Sequence, residues 1–195
     1  MMTETMPSSL NRRILDTDGD VVARWSVPMQ DIVHLVEFEH GTTTGKRVCR
    51  VDGEVVLRYD WKFKLVGKDD FEIGSTKCSI NVEALGTFAY SYSLEVDGKK
   101  FETFREEMKR KLISWKTNIA GQETRICLDK DTMEVWANGV KMDTAGEFVE
   151  GGSETHFELK GSVCVIKAIS SGRKRTGVTQ ELYVNNKHVP RCLKE

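Results

Sequence analysis

The chain has 195 residues, of which 39% are hydrophobic, and its 29 basic and 30 acidic side chains leave a formal net charge of −1. This near neutrality argues against a protein built mainly to bind nucleic-acid phosphates or an anionic membrane, because both require a concentrated basic field. No stretch approaches the length of a membrane-spanning helix, and the first residues lack the apolar core of a secretory signal. We therefore expect a cytoplasmic protein with no membrane insertion and no nucleic-acid partner.

Cysteine and histidine usage gives no sign of a disulfide framework or a metal centre. The five cysteines are an odd number without a C-x-x-C pair, which fits a reducing compartment. The four histidines lack the close pairing that usually supplies two zinc ligands, so a site requires distant segments to converge. We predict no cofactor and no bound metal. The residues concerned are Cys49, Cys78, Cys127, Cys164, Cys192, His34, His40, His156 and His188.

The amino-terminal segment shows no periodicity and is predicted to be disordered. Within it, Asp16, Asp18 and Asp20 occupy positions one, three and five of a calcium-binding loop. Position six is Val21 instead of glycine, and position twelve is Val27 instead of glutamate. Because these two residues shape the loop and complete its coordination, calcium binding is not expected.

The segment 41–47 has the composition of a phosphate-binding loop but not its spacing. Three residues, not four, separate Gly41 from Gly45, and Arg47 stands where a Ser or Thr would reach a magnesium ion. The segment also joins two candidate strands and does not open a helix. We predict an ordinary hairpin loop.

Alternation of apolar and polar residues dominates the chain and predicts antiparallel strands that are buried on one face. It is clearest over residues 55–65 and recurs over 78–84 and 88–96. The apolar members predicted to share one sheet face are Val55, Leu57, Tyr59, Trp61, Phe63 and Leu65, then Cys78, Ile80, Val82 and Ala84, then Phe88, Tyr90, Tyr92, Leu94 and Val96.

Short turn dipeptides separate these strands. Their Asp, Asn and Gly residues tolerate the positive φ angles of tight hairpins. With only three prolines in the chain, the pattern predicts an all-β protein. The dipeptides are Asp52-Gly53, Asp97-Gly98, Asn138-Gly139 and Asn185-Asn186.

An internal repeat relates the two halves of the chain. A shift of 86 residues superposes residues 53–86 on 139–172 without gaps, and a two-residue insertion then brings 94–96 onto 182–184. The matches fall on turn glycines and inward strand positions, which a shared architecture constrains, so we predict two homologous β units. They include Gly53 with Gly139, Phe71 with Phe157, Cys78 with Cys164 and Ile80 with Ile166, and Trp25 and Trp115 each open a half.

The charged segment FETFREEMKRKL lies between the halves. Phe104, Met108 and Leu112 follow one another at helical spacing, and Glu107 stands four residues before Lys111, where the two can pair. We predict one or two helical turns that serve as a solvated connector.

No motif points to catalysis, and we expect the protein not to be an enzyme. There is no G-x-S-x-G elbow or other positioned nucleophile. Cys78 and Cys164 lie on apolar strand faces, where small buried thiols are more common than reactive ones. No residue is assigned a catalytic, cofactor-binding or metal-binding role.

Two further features have both a structural and a binding interpretation. The basic loop Arg173-Lys174-Arg175 is typical of a solubilising hairpin tip, and it has the charge to contact phosphate or an acidic partner. Trp61, Trp115 and Trp136 are core anchors or a surface platform, a choice that alternation does not decide. The sequence assigns no residue to partner binding, so those residues are unknown.

Together these patterns predict an all-β fold of two tandem antiparallel β-sandwich domains, related by the internal repeat and joined by a short helical linker. The predicted division is a disordered tail at 1–20, a first sandwich at 21–104, a linker at 105–112, a second sandwich at 113–192 and a tail at 193–195.

Five segments together closely resemble the Fas apoptotic inhibitory molecule family, over essentially residues 21–190. They are VEFEHGTTTGKRVCRVDG (36–53), WKFKLVGKDDF (61–71), FAYSYSLEVDGK (88–99), MEVWANGVKMDTAGEFVEGGSETHFEL (133–159) and VIKAISSGRKR (165–175). The resemblance implies two β-sandwich halves in a cytoplasmic, non-enzymatic protein. It also implies opposition to death-receptor (Fas) signalling, a link to NF-κB and neurotrophin-driven neurite outgrowth, and protection of stressed cells against protein aggregation.

Two mechanisms of protein binding fit this resemblance. An adaptor would bind one component of death-receptor or neurotrophin-receptor signalling through a defined patch, and single substitutions would abolish binding. A holdase would capture exposed strands of misfolded clients at sheet edges and apolar grooves. A third hypothesis, a carbohydrate- or lipid-binding sandwich, requires a ligand-sized concavity.

Overall fold

The computed structural model describes residues 21–87, 89–170 and 177–192. The calcium-loop candidates Asp16, Asp18 and Asp20, the basic loop at 173–175 and the strand residue Phe88 lie outside this range. The described residues form four antiparallel sheets and one helix, so the predicted all-β fold is confirmed. Each sheet is a meander in which consecutive strands pair.

The first half contains two four-stranded sheets followed by the helix. Its first sheet contains β1 (Val21–Pro28), β2 (Val33–His40), β3 (Arg47–Val51) and β4 (Glu54–Tyr59). Its second sheet contains β5 (Gly67–Ile73), β6 (Thr76–Ala84), β7 (Tyr90–Val96) and β8 (Lys99–Lys100), after which α1 spans Phe101–Lys111.

The second half repeats this plan with one extra strand. Its first sheet contains β9 (Leu112–Ile119), β10 (Gln122–Asp129), β11 (Val135–Ala137) and β12 (Val140–Lys141). Its second sheet contains β13 (Ala145–Val149), β14 (Gly152–Leu159), β15 (Ser162–Ser170), β16 (Val178–Val184) and β17 (Lys187–Val189).

Each half has its own hydrophobic core between its two sheets. In the first half, Phe38 of β2 packs in one cluster with Ile80 of β6 and Leu94 of β7. In the second half, Trp115 of β9 packs in another cluster with Ile166 of β15. Alternating apolar side chains from facing sheets fill these cores, which is the arrangement of a β-sandwich.

The four predicted turn dipeptides are confirmed as tight hairpins. Both residues of each dipeptide have positive φ, as the favoured two-residue hairpin turn requires. At Asp52-Gly53, for example, φ is 53° and then 84°. Two further hairpins of the same kind, at Ala120-Gly121 and Lys160-Gly161, were missed because alanine and lysine are weak turn signals.

The internal repeat is confirmed at the level of whole strands. The 86-residue shift places β6, residues 76–84, on β15, residues 162–170. After the two-residue insertion, β7 at residues 90–96 falls on β16 at residues 178–184. The repeated pattern of turns and inward residues therefore reflects a repeated chain path.

The strand predicted over residues 55–65 is wrong in its second part. β4 ends at Tyr59, and residues 60–66 cross from the first sheet to the second outside any strand. Trp61 and Phe63, predicted on the buried face, point to solvent, and Val55 is exposed as well. β4 is an edge strand with an irregular register against β3. The alternation of apolar and polar residues therefore continues past Tyr59 although strand pairing ends there.

The predicted helical linker is present, but it is longer than one or two turns. α1 begins at Phe101, and Phe101 and Phe104 are buried in the first core. The predicted pair between Glu107 and Lys111 is absent, because Glu107 accepts a hydrogen bond from Lys99 at 2.5 Å and Lys111 pairs with Asp129 of β10 at 2.9 Å. The domain limits at 104 and 113 stay a prediction.

No helix in the described part of the chain combines the length and the apolar character needed to cross a membrane.

Candidate protein-binding surface

Two large aromatic side chains project into solvent from the crossing between the sheets of the first half. Trp61 is 68% exposed and Phe63 is 84% exposed, and their ring centroids lie 6.3 Å apart. Beside them, the ammonium group of Lys62 lies 4.6 Å from the ring centroid of Tyr59. We call residues 60–66 the first connector. An apolar pair this exposed costs solvation free energy in the free protein, and such patches typically mark contact sites.

The backbone of the first connector is held against the β2–β3 hairpin. The amide of Lys62 donates a hydrogen bond to the carbonyl oxygen of Thr44 at 3.1 Å. Gly45 packs against the Lys62 carbonyl so closely that an added Cβ would lie 2.0 Å from its oxygen. Further along, the Arg47 guanidinium donates to the carbonyl oxygen of Leu65 at 2.8 Å. The segment 41–47 is a hairpin loop, as predicted, and it fixes the connector.

A buried ionic cluster anchors the same segment on its side facing the interior of the sandwich. Arg47 has no solvent exposure, and its guanidinium pairs with the carboxylate of Asp69, which is also buried. Lys62 reaches into the sandwich to pair with the other oxygen of Asp69. Removal of a partner from such a cluster leaves an unpaired buried charge, so the three side chains hold one arrangement. The connector therefore presents Trp61 and Phe63 from a fixed base.

A cluster of His40, Tyr90 and Tyr92 lies close enough to Arg47 to feel its charge. The His40 ring contacts Tyr90 edge-on, with centroids 5.0 Å apart, and its Nδ1 lies 3.0 Å from the hydroxyl of Tyr92. Burial lowers the pKa of His40, the nearby Arg47 charge lowers it further, and Asp69 opposes both. A neutral His40 next to Arg47 adds no repulsion to the cluster.

The second half exposes an aromatic side chain at the equivalent place. The 86-residue shift places residues 59–63 on 145–149, which form the edge strand β13, the first strand after the chain crosses from β12 to the second sheet of this half. We call β13 the second connector. Phe148 of β13 is 97% exposed, and Val149 beside it is 40% exposed. Asp69 corresponds to Thr155, so the ionic anchor is specific to the first half. β13 pairs with β14 on one side only within the described residues.

The three candidate tryptophans differ clearly in solvent exposure. Trp115 is completely buried and is a core anchor, whereas Trp136 is partly buried and Trp61 is a surface residue. Sequence reasoning left this choice open because all three stand in alternating runs. It missed Phe148 and the role of Arg47 altogether. The signal that could have found Phe148 was the 86-residue repeat, because it aligns residues 59–63 with residues 145–149.

Four of the five cysteines are buried core residues away from this surface. Burial raises the pKa of Cys49 to about 12 and the pKa values of Cys78, Cys127 and Cys164 to about 11. A thiol with such a pKa is almost fully protonated at neutral pH and is a poor nucleophile. The interpretation of Cys78 and Cys164 as buried core thiols agrees with these positions. Cys192 is partly buried.

The histidines do not converge on one another. His34 contacts the carboxylates of Asp52 and Asp31, and the ring of His188 packs against Tyr183. Within the described residues, one group has metal-ligand proximity, namely Glu147, Glu154 and His156, whose ligand atoms lie within 4.8 Å of one another. Glu154 also pairs with Lys167 at 2.7 Å, so this group is a surface ion-pair network.

The fold and this surface define a tandem β-sandwich protein that exposes aromatic side chains where each half crosses from one sheet to the other. The family model described as Fas apoptotic inhibitory molecule (FAIM1) matches residues 21–192. The Fas apoptotic inhibitory molecule 1 of Rattus norvegicus is 49% identical over 178 residues, which cover 90% of this chain and 89% of that protein. The chain therefore belongs to the Fas apoptotic inhibitory molecule family.

Other mammalian relatives align over similar lengths. The Fas apoptotic inhibitory molecule 1 of Homo sapiens is 47% identical over 173 residues, which cover 88% of this chain and 97% of that protein. The Bos taurus protein of the same name is 45% identical over 192 residues, covering 97% of this chain and 93% of that protein.

Proposed function

We propose that this chain is a non-enzymatic, anti-apoptotic protein of the cytoplasm that opposes death-receptor signalling and protects stressed cells by binding other proteins. Its family membership and the names of its relatives support the anti-apoptotic role. The observation that carries the binding mechanism is the exposure of Trp61 and Phe63 on a backbone that is fixed in place.

The fixed base makes these side chains effective binding groups. Burial of a large apolar side chain against a partner contributes roughly 1.5 to 3 kcal/mol. A segment that is already ordered loses little conformational entropy on binding, so more of this free energy appears as affinity. Aromatic side chains are also enriched among the residues that dominate protein interfaces.

Of the two binding mechanisms, the structure favours the holdase. Apolar side chains are exposed at equivalent crossings of both halves, which gives one chain two separated sites for an extended client. At the second site, the unpaired backbone edge of β13 lies next to Phe148 and can accept a client strand by backbone hydrogen bonding. An adaptor requires only one such patch.

Light scattering from a heat-destabilised client protein tests this proposal. We expect the intact chain to suppress scattering, the variants Trp61→Ser/Phe63→Ser and Phe148→Ser each to lose part of that activity, and the triple variant to lose nearly all of it. Val163→Ser is the matched control, because Val163 is 60% exposed and lies outside both connectors.

The same variants separate the holdase from the adaptor. If suppression is unchanged in the triple variant, the connectors do not bind clients and the holdase proposal is wrong. If protection of Fas-stimulated cells is abolished by Trp61→Ser/Phe63→Ser alone while scattering is unaffected, the first connector binds one signalling partner.

A further inference from the structure

A cavity of about 370 Å³ lies where the two halves meet. Its walls come from the β1–β2 hairpin, the end of α1, strands β9 and β10, and the carboxy-terminal residues that follow β17. This volume is in the range of small-molecule binding sites. Apolar side chains form a large part of the wall, namely Pro28, Val33, Met108, Leu112 and Ile113.

The charged residues of the cavity are all cationic. Lys109, Lys116, Arg125 and Arg191 line it, and none of its described lining residues is acidic. Lys109 and Arg125 are half-buried, where a cation normally has a carboxylate partner because an unpaired charge is costly to desolvate. Lys116 and Arg191 are exposed and add positive charge where the cavity opens to solvent.

The two arginines are held by neutral groups. Arg125 donates to the carbonyl oxygen of Asp31 at 2.7 Å, and Arg191 donates to that of Gln180 at 2.6 Å. These hydrogen bonds orient the guanidinium groups without neutralising their charge. The nearby carboxylate of Asp31 contacts His34 at 3.2 Å instead.

Lys116 and Arg125 face each other directly across the β9–β10 ladder. Like charges at directly opposite positions destabilise an antiparallel pair. No ion-pair partner of Lys116 is found among the described residues, while Lys109 lies 3.6 Å from Glu106. A bound anion would relieve the repulsion and complete the hydrogen bonding of both side chains.

We propose that this cavity binds an amphiphile with one anionic head, a carboxylate or phosphate, and an alkyl chain. The head would bind between Lys116 and Arg125, and the chain would lie along Leu112, Ile113 and Met108. The site is separate from the connectors, so it adds a ligand-binding function to the proposed protein binding.

Isothermal titration calorimetry with octanoate tests the site in the intact protein. We expect saturable binding at one site per chain, at least tenfold weaker binding of octanol, and at least tenfold weaker binding of inorganic phosphate. Equal binding of octanol would show an uncharged apolar cavity, and equal binding of phosphate would show a simple anion site. Either result overturns the proposal.

Charge reversal at Lys116 gives a second, independent readout. We expect K116E to abolish octanoate binding and to raise the melting temperature, because it replaces a cross-strand repulsion with an attraction to Arg125. K116Q should weaken binding at least tenfold and fold normally. K187Q changes an exposed lysine outside the cavity and serves as the control. Unchanged octanoate affinity in K116E would overturn the proposal.

Vesicle co-sedimentation identifies the source of the ligand. If the protein binds phosphatidic acid vesicles but not phosphatidylcholine vesicles, and K116E loses this binding, the ligand is a membrane lipid whose headgroup has the same chemistry. Octanoate binding without vesicle binding indicates a free amphiphile. Absence of both overturns the proposal.

Discussion

At the scale of single residues, one buried carboxylate organises the first connector. Asp69 pairs with both Arg47 and Lys62 through its two carboxylate oxygens, and Arg47 in turn donates a hydrogen bond to the carbonyl oxygen of Leu65. The effect of this cluster is to fix the path of the segment that exposes Trp61 and Phe63.

We expect Asp69→Asn to destabilise the protein by about 3 to 5 kcal/mol, because it leaves the Arg47 charge buried without its counter-ion. The midpoint and slope of urea unfolding measure this change. Asp70→Asn is the matched control: its side chain is the exposed neighbour in the same strand, and we expect a change within about 0.5 kcal/mol. Equal stability of the two variants would contradict the account of the cluster.

His40 predicts a pH dependence of stability. Burial and the Arg47 charge lower its pKa in the folded protein below the ordinary value of 6.5, so on acidification the unfolded chain binds a proton that the folded chain does not. Stability contributed by neutral His40 is therefore present above about pH 6.5 and is lost as the pH falls below it.

Melting temperatures between about pH 7.5 and 5.5 measure this effect, a range chosen to lie above most carboxylate titration. We expect His40→Phe to show a shallower decline with acidification than the wild-type protein. His188→Gln, at an exposed ring in the second half, is the histidine control. A decline in His40→Phe as steep as in the wild type would assign the pH dependence to other groups.

At the scale of elements, the close contact at Gly45 couples the β2–β3 hairpin to the first connector. Gly45 has φ of 68°, and an added Cβ would meet the Lys62 carbonyl. Gly53 has φ of 84° but nothing within 4 Å of an added Cβ. Substitution of either glycine therefore costs free energy through backbone strain at positive φ. Only substitution of Gly45 also creates a steric clash.

We expect Gly53→Ala to cost about 1 kcal/mol through its positive φ alone. Gly45→Ala should cost more, and it should reduce client binding because the connector must move. Urea unfolding and the light-scattering assay measure the two effects. If both variants lose the same stability and keep full activity, the hairpin does not position the connector.

Elements with local signals were predictable from the sequence, and the connectors were not. The dipeptide turns, the buried residues Cys78, Ile80 and Val82, and the 86-residue repeat all depend on neighbours in sequence or on a repeated pattern. The path of the first connector depends on a buried ionic cluster that joins Arg47, Lys62 and Asp69 from separate elements. Trp61 and Phe63 continue the alternation of an edge strand, so their pattern alone matches a buried face.

At the scale of the whole molecule, repetition of one sandwich plan gives two similar crossings with different properties. The first is fixed by an ionic cluster and exposes two aromatic rings. The second is an edge strand that exposes Phe148 together with unpaired backbone groups. The cavity between the halves is lined by residues outside the segments that the 86-residue repeat matches, so the repeat could not reveal it.

Site-specific photocrosslinking tests most directly whether the connectors contact clients. A photoreactive phenylalanine analogue replaces Phe63, Phe148 or, as an exposed control outside both connectors, Val163, and each protein is illuminated with a heat-destabilised client. We expect strong client crosslinks from positions 63 and 148 and weak ones from position 163. Crosslinks of equal strength at all three positions, or from position 163 alone, would contradict this expectation.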